Sequence, residues 1–279
     1  MIDPSYIAPL VKLAIDEDIR QGDITSAACI DSNLIGEGKF LCKEDGVLAG
    51  IEVIDYIITG QLPDVSFQSS KKEGEKIFVG EYFATIEGKL QKILTFERTL
   101  LNFLQRMSGV ATLTSRFVDA VNGTKARILD TRKTIPGWRY LDKLAVEIGG
   151  GENHRFGLFD MFLIKDNHII AAKGITNAVK LCKDYREKNN LNYKIEVEVK
   201  NLAELNEALA LQIDRIMLDN FKLDDMKKAV ELNSGKCELE VSGGVNLDSV
   251  RAIAETGVDY ISIGALTHSV KALDISLDL

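Results

Sequence analysis

Two basic segments stand out in a chain of net charge −8, built from 42 acidic and 34 basic residues. Asp130-Thr131-Arg132-Lys133 and Gly149-Gly150-Gly151-Glu152-Asn153-His154-Arg155 lie within residues 125–173, where nine Lys or Arg face six Asp or Glu, with His154 and His168 in addition. Arginine forks bind carboxylate and phosphate bidentately and lysine acts as a mobile point charge, so these residue types suit a small anion. A solvated basic face is the plain alternative. Against it, Arg132, Lys133 and Lys165 each follow a short apolar run, and the His154-Arg155 pair follows a triple-glycine loop.

Two glycine turns extend the pattern. Ser242-Gly243-Gly244 and Ile263-Gly264-Ala265 each follow an apolar run, and the first precedes a helix expected from Asn246. Backbone N–H groups there can point at an anion, with support from the helix dipole, and such turns on the last strands of a barrel commonly hold a phosphate monoester. Glu198 and Asp219 end two other runs, and Glu196 shares the face of Glu198 by the period-two rule. These carboxylates either neutralise Lys133 or Lys165, hold Mg²⁺ or sugar hydroxyls, or stabilise positive charge on a sugar carbon. A glycosidase pair fits poorly, because nearby cations keep both acids ionised. No Gly-x-Gly-x-x-Gly, Walker lysine loop or His-Glu-x-x-His is present. A Schiff-base role for Lys165 is disfavoured by neighbours that suit anions.

The elements that must position these groups are legible in outline. A chain of 279 residues, 46% apolar, is long enough for one barrel-sized domain or two ordinary ones. Its acidity argues against a nucleic-acid or anionic-membrane coat. No apolar run approaches the roughly 18–20 residues that span a bilayer, and Met1-Ile2-Asp3-Pro4 lacks signal-peptide character, so a cytoplasmic chain is expected. Cys29, Cys42, Cys182 and Cys237 are dispersed and read as reduced, mostly buried thiols. Asp3-Pro4 opens an amphipathic helix through Tyr6, Leu10, Leu13 and Ala14. Short strands around Gly38–Cys42, Asp64–Phe67 and Tyr82–Ile86 flank a helix at Ile51–Ile58, which suggests a small α+β domain. Residues 89–121 read as helix with an interruption at Ser108-Gly109. Beyond Lys125, six apolar runs alternate with helical stretches, the signature of βα units and a parallel sheet, and favour a barrel that is incomplete.

These motifs, with Glu97-Arg98-Thr99-Leu100-Leu101-Asn102, Leu163-Ile164-Lys165-Asp166-Asn167-His168 and Leu218-Asp219-Asn220, resemble the quinolinate phosphoribosyltransferase family over nearly the whole chain. The resemblance implies an incomplete, seven-stranded α/β barrel of the type II phosphoribosyltransferase kind at 106–267. An N-terminal α+β sandwich domain would occupy 1–105, with 268–279 packing against it. It implies transfer of phosphoribosyl from phosphoribosyl pyrophosphate to quinolinate with decarboxylation, using Mg²⁺ and no organic cofactor, in a homodimer with a shared site. By the same resemblance Arg98 acts across the dimer with Arg132, His154 and Arg155 on the quinolinate carboxylates, while Lys133 and Lys165 serve the pyrophosphate and carboxylate region beside Thr131. Glu198 and Asp219 would hold ribose hydroxyls and Mg²⁺. Ser242, Gly243, Gly244, Ile263, Gly264 and Ala265 would cradle the 5-phosphate. Trp138 stands where a smaller apolar residue is expected. Two rivals share parts of this picture: a nicotinate phosphoribosyltransferase or related homologue using another base, and a catalytically silent phosphosugar-binding protein.

Overall fold

The computed structural model describes residues 2–279, which form two compact units. The first comprises the chain up to Ser115, Thr134–Gly150 and Leu266–Leu279; the second comprises Arg116–Lys133 and Gly151–Ala265.

In the first unit α1 (Pro4–Asp18) is capped by the Asp3 side chain, which accepts from the Ser5 N–H, and begins with a proline that has no N–H to lose. Its buried face is Ile7 and Val11, whereas Tyr6 and Leu13 are exposed, so the packed stripe is rotated from the one read in the sequence. Tyr6 instead stacks on the Tyr140 ring at 4.8 Å. After α2 (Ile24–Cys29) come β1 (Ile35–Cys42), β2 (Gly46–Val47), α3 (Ile51–Gln61), β3 (Val65–Ser69), β4 (Lys76–Ile77) and β5 (Tyr82–Lys89). Helix α3 buries Val53, Ile54, Ile57 and Ile58, one helical stripe, and packs on β3.

Helix α4 (Leu90–Ala120) runs unbroken through Ser108-Gly109, where an interruption was expected. Both residues are used for contact. The Ser108 hydroxyl accepts from the Ala49 N–H and donates to the Ala49 carbonyl, and a Cβ on Gly109 would stand 2.3 Å from the Lys271 carbonyl oxygen. Helix α5 (Arg139–Ile148) packs on α1. Trp138, the residue that looked oversized, stacks on Phe103 at 5.1 Å. The glycines after α5 serve packing more than flexibility: a Cβ on Gly149 would lie 2.5 Å from the Ala111 carbonyl, and Gly150 has a φ of +88°.

The second unit carries β6 (Arg127–Leu129), β7 (Phe162–Ile164), α6 (Asp166–Ala172), α7 (Ile175–Lys188), β8 (Ile195–Val199), α8 (Leu202–Leu209), β9 (Arg215–Asp219), α9 (Leu223–Asn233), β10 (Glu238–Ser242), α10 (Leu247–Ala254) and β11 (Tyr260–Ser262). Its six strands form one parallel sheet in the order β6-β11-β10-β9-β8-β7. The seventh position of the incomplete α/β barrel is taken by a single parallel bridge, Leu129 to Glu152, in which the Glu152 N–H donates to the Ile128 carbonyl. Between that bridge and β7, the Arg155 guanidinium donates to the Met161 carbonyl at 3.1 Å.

After α11 (Ala265–His268), the last strand, β12 (Ile275–Asp278), pairs antiparallel with β1 and completes the first unit's sheet in the order β12-β1-β5-β3. The cysteines are free, but only Cys42 is buried; Cys29, the last residue of α2, is exposed, and Cys182 within α7 and Cys237 before β10 are half-buried. Among the described residues no helix is long and apolar enough to cross a membrane. Gly109→Ala is expected to lower stability by about 1–3 kcal/mol, since the added methyl must displace backbone; an unchanged urea midpoint would show that the segment at Lys271 yields freely.

Candidate active site

In a parallel sheet, residues paired across strands share a face, so the register fixes which side chains converge. Glu198, Met217, Glu240 and Tyr260 form one row, and Glu196, Arg215 and Glu238 form the row beneath. Asp219 and Ser242 form the row above, at the carboxyl ends of their strands. Strands β9, β10 and β11 end in Asp219, Ser242 and Ser262, and β6, β7 and β8 are followed at once by Asp130, Lys165 and Lys200; these ends are where a βα sheet presents its functional groups.

At this edge the cations are arranged in different ways. Lys133 is exposed, and its N–H donates to the Thr131 hydroxyl. The Lys165 ammonium lies 2.6 Å from a Glu198 carboxylate oxygen, so these two neutralise one another as the structure stands. Arg132 and Arg155 are half-buried and close enough for their charges to interact; burial first, and then Arg132, pulls the Arg155 guanidinium down. The Nε atoms of both arginines are buried without a hydrogen-bond partner among the described residues. Two desolvated cations with open donors are costly unless an anion completes them. Arg98, the remaining arginine expected at the site, is exposed on α4 in the first unit.

Asp219 is half-buried and accepts from the Asn220 amide at 3.0 Å. Asn220 adopts a φ of +56° and its N–H donates to the Ser242 carbonyl, which ties the ends of β9 and β10 together. The same side chain explains Gly243, where a Cβ would stand 2.2 Å from the Asn220 amide oxygen. Gly244, at φ +63°, faces open space. Donors from helix α10 are less available than the sequence suggests, because the Asn246 side chain already accepts from the Asp248 and Ser249 N–H groups. Any anion there must rely on the turn itself. At the second turn the Ile263 N–H is committed to the Leu129 carbonyl and its side chain is buried, so this residue offers packing rather than a donor.

Beside and beneath Glu198, in its own row and the next, lies a buried charged cluster. Glu196 and Glu240 are fully buried, with the His154 Nε2 at 3.1 Å from Glu196 and 3.5 Å from Glu240. These are ion-pair distances without good hydrogen-bond alignment, and both Glu196 oxygens and one of Glu240 lack a hydrogen bond. Arg215 donates to Glu240 at 3.0 Å, pairs with Glu238, and lies over the Tyr260 ring at 4.0 Å. Burial pushes both carboxyls up, Glu240 further through the charge of Glu196, while Arg215 pulls both back. The two β8 acids differ in place: Glu198 stands near the strand end beside Lys165, and Glu196 is one row down and fully buried.

Comparison with known proteins agrees with this architecture. The sequence matches the quinolinate phosphoribosyl transferase N-terminal domain over residues 23–108 and the C-terminal domain over residues 110–278. The chain belongs to the quinolinate phosphoribosyltransferase family. It is 46% identical to the chloroplastic nicotinate-nucleotide pyrophosphorylase [carboxylating] of Arabidopsis thaliana, over 99% of this chain and 84% of that protein. A probable nicotinate-nucleotide pyrophosphorylase [carboxylating] of Bacillus subtilis is 42% identical over 94% and 90% of the two chains. Among solved structures, the nicotinate-nucleotide pyrophosphorylase of Francisella tularensis superposes with a TM-score of 0.95 at 41% identity, covering 100% of this chain and 97% of that one.

Within this family member, the buried cluster is what sequence reasoning passed over. In the sequence Glu196 is prominent only as a rival of Glu198, and Glu240 and Arg215 are inconspicuous because apolar residues flank them in Leu239-Glu240-Val241 and Arg215-Ile216-Met217-Leu218. The available signal was an acid or base at the centre of strands that should be apolar on both faces. The raised carboxyls have a measurable consequence. The folded chain retains a proton on this pair up to about pH 7, which an unfolded chain releases near the ordinary carboxyl range. The pair's contribution to stability is therefore full at acidic pH and is lost as pH rises through about 7. A loss on the order of 1–3 kcal/mol between pH 5 and pH 8 is expected, with a flatter profile in Glu240→Gln; equal pH slopes for the two proteins in urea titrations would contradict this.

Proposed function

We propose that this chain joins quinolinate to phosphoribosyl pyrophosphate and decarboxylates the product, giving nicotinate mononucleotide, pyrophosphate and CO₂ in de novo NAD biosynthesis. The observation that carries this reading, beside family membership, is the pair of half-buried arginines with unsatisfied donors at the strand ends. Quinolinate brings two carboxylates. Arg132 and Arg155 bind them, joined by Arg98 of the partner subunit in a homodimer, and their desolvation strengthens each contact. His154 belongs to the same carboxylate subsite. A nicotinate-using homologue would have one carboxylate fewer to place against this much charge.

Lys133 and Lys165 serve the pyrophosphate, with Lys165 released from Glu198 when the substrate's charge replaces it. Glu198 and Asp219 face the ribose. Departure of pyrophosphate develops positive charge at the anomeric carbon, and carboxylates fixed at neighbouring strand ends stabilise it before any reorganisation is needed. The turns at Ser242-Gly243-Gly244 and Gly264-Ala265 hold the 5-phosphate, Gly244 presenting backbone to open space. Decarboxylation then uses the ring nitrogen, cationic once joined to ribose, as electron sink, so the protein supplies no covalent group.

Glu198 and Asp219 also fit Mg²⁺, which takes one or two protein carboxylates and completes its shell with substrate oxygens and water. Both are oxygen donors at the open edge, on one face of adjacent strands. The ion would neutralise pyrophosphate charge. Four free thiols accord with a reducing compartment such as the cytoplasm.

The deciding assay follows quinolinate-dependent formation of nicotinate mononucleotide and CO₂ from phosphoribosyl pyrophosphate. Turnover of nicotinate with no CO₂ from quinolinate would favour the other base, and binding of the sugar donor without turnover would favour a silent protein. Arg155→Ala is expected to cost about 2–5 kcal/mol in productive quinolinate binding by leaving a carboxylate unpaired; unchanged kinetics would remove Arg155 from the site. Mixing Arg98→Ala subunits with Lys133→Ala subunits should restore part of the activity, and its absence in verified heterodimers would count against a shared site.

A further inference from the structure

The buried cluster does more than occupy the sheet interior. The Arg155 backbone N–H donates to the His154 Nδ1 at 2.7 Å, so this nitrogen carries a lone pair and the ring hydrogen resides on Nε2. Nε2 in turn faces the Glu196 and Glu240 carboxylates at 3.1 and 3.5 Å. The backbone is held as well: the His154 N–H donates to the Asp130 carboxylate at 2.8 Å, and Asp130 is completely buried. Asp130 is two residues from Arg132, and His154 adjoins Arg155. His154 therefore stands at a junction: its backbone N–H ties it to the segment that carries Arg132, and its buried ring ties its own segment, which carries Arg155, to the acids of β8 and β10.

We infer that Glu196 and Glu240 are positioning residues that hold His154 as a neutral Nε2–H imidazole, and that His154, so anchored, fixes the adjoining Arg155 for the diacid. This deepens the quinolinate reading and rests on it. Both ring nitrogens of His154 are directed at the protein, and its side chain is buried. Arg215 anchors the acid pair from below by donating to Glu240. The same three side chains have ligand atoms within 4.8 Å of one another, a spacing that could suit a metal ion. The adjacent Arg215 guanidinium disfavours a second dication, so a proton is the better match to the excess negative charge.

The test combines two independent readouts. In protein labelled with ¹⁵N-histidine, where His154 is one of three histidines, the unliganded wild type should show a pyridine-type Nδ1 and a pyrrole-type Nε2 for His154. Assignment comes from loss of those signals in His154→Asn. An imidazolium, the opposite tautomer, or stoichiometric metal bound at this cluster in the purified protein would overturn the inference, and this holds whether or not quinolinate is the substrate. In steady-state kinetics, Glu196→Leu should raise the KM for quinolinate by about 100-fold, the scale of a misplaced binding group, with the KM for phosphoribosyl pyrophosphate unchanged. Glu196→Gln, which keeps an oxygen facing Nε2, should recover most of that loss. Equal effects on both substrates, or a wild-type quinolinate KM in Glu196→Leu, would refute a positioning role. Should Glu196→Leu fail to fold, the histidine spectrum of the wild type and the kinetics of Glu196→Gln still decide. A wild-type enzyme that does not turn over quinolinate would sink the functional reading alone, leaving the tautomer to be judged by its spectrum.

Discussion

Glu196 and Glu240 bring two acidic groups into the interior of a parallel sheet, where water cannot screen them and where an uncompensated charge would cost several kcal/mol. Arg215, His154 and a retained proton offset that cost, and each imposes a constraint of its own. Arg215 must reach across β9 to β10 and lie over Tyr260. His154 must enter from the segment after α5, which fixes where that segment runs and ties it to the end of β6 through Asp130. Solving the electrostatics of the interior thus determines the course of the two loops that reach the open edge.

The sheet divides its charges by depth, and the division follows from the strand period. Glu196 and Glu198 lie on one face two residues apart, yet one is sealed and raised while the other stands beside a lysine at the edge. The same chemical group is a sealed acid in one row and an edge carboxylate paired with a lysine in the next. At the edge the cations Lys133 and Lys165 are ammonium groups on long flexible stems, whereas Arg132 and Arg155 are half-buried guanidinium forks whose Nε atoms lack a hydrogen-bond partner. Mobile charges suit a group that must leave, and fixed forks suit one that must be held.

Much of this was legible in the residues themselves. Strand ends announce themselves by a charged or glycine residue after an apolar run, which is why Arg132, Lys165, Asp219 and Gly243 stand out in the sequence. What escaped was information held in register. That Glu240 meets Arg215 depends on how β10 aligns with β9, and no local pattern states that alignment. The face of α1 was misread for a similar reason, since Tyr6 and Ile7 are both apolar and only packing chooses between them. At Ser108-Gly109 propensity pointed to a break, but close approach of the Lys271 backbone selected glycine within a continuous helix.

The pairing of β12 with β1 has a bearing on how the molecule is made. The first unit draws on three separate stretches of chain, the last of them at the C-terminal end. During synthesis one edge of β1 stays open until residues 275–278 have emerged. An unpaired edge is a template for intermolecular strand addition, and the positively charged Lys39 on this strand is a residue type that discourages such pairing. A fragment ending after α4 would carry that edge open, since the strand that covers it lies at residues 275–278.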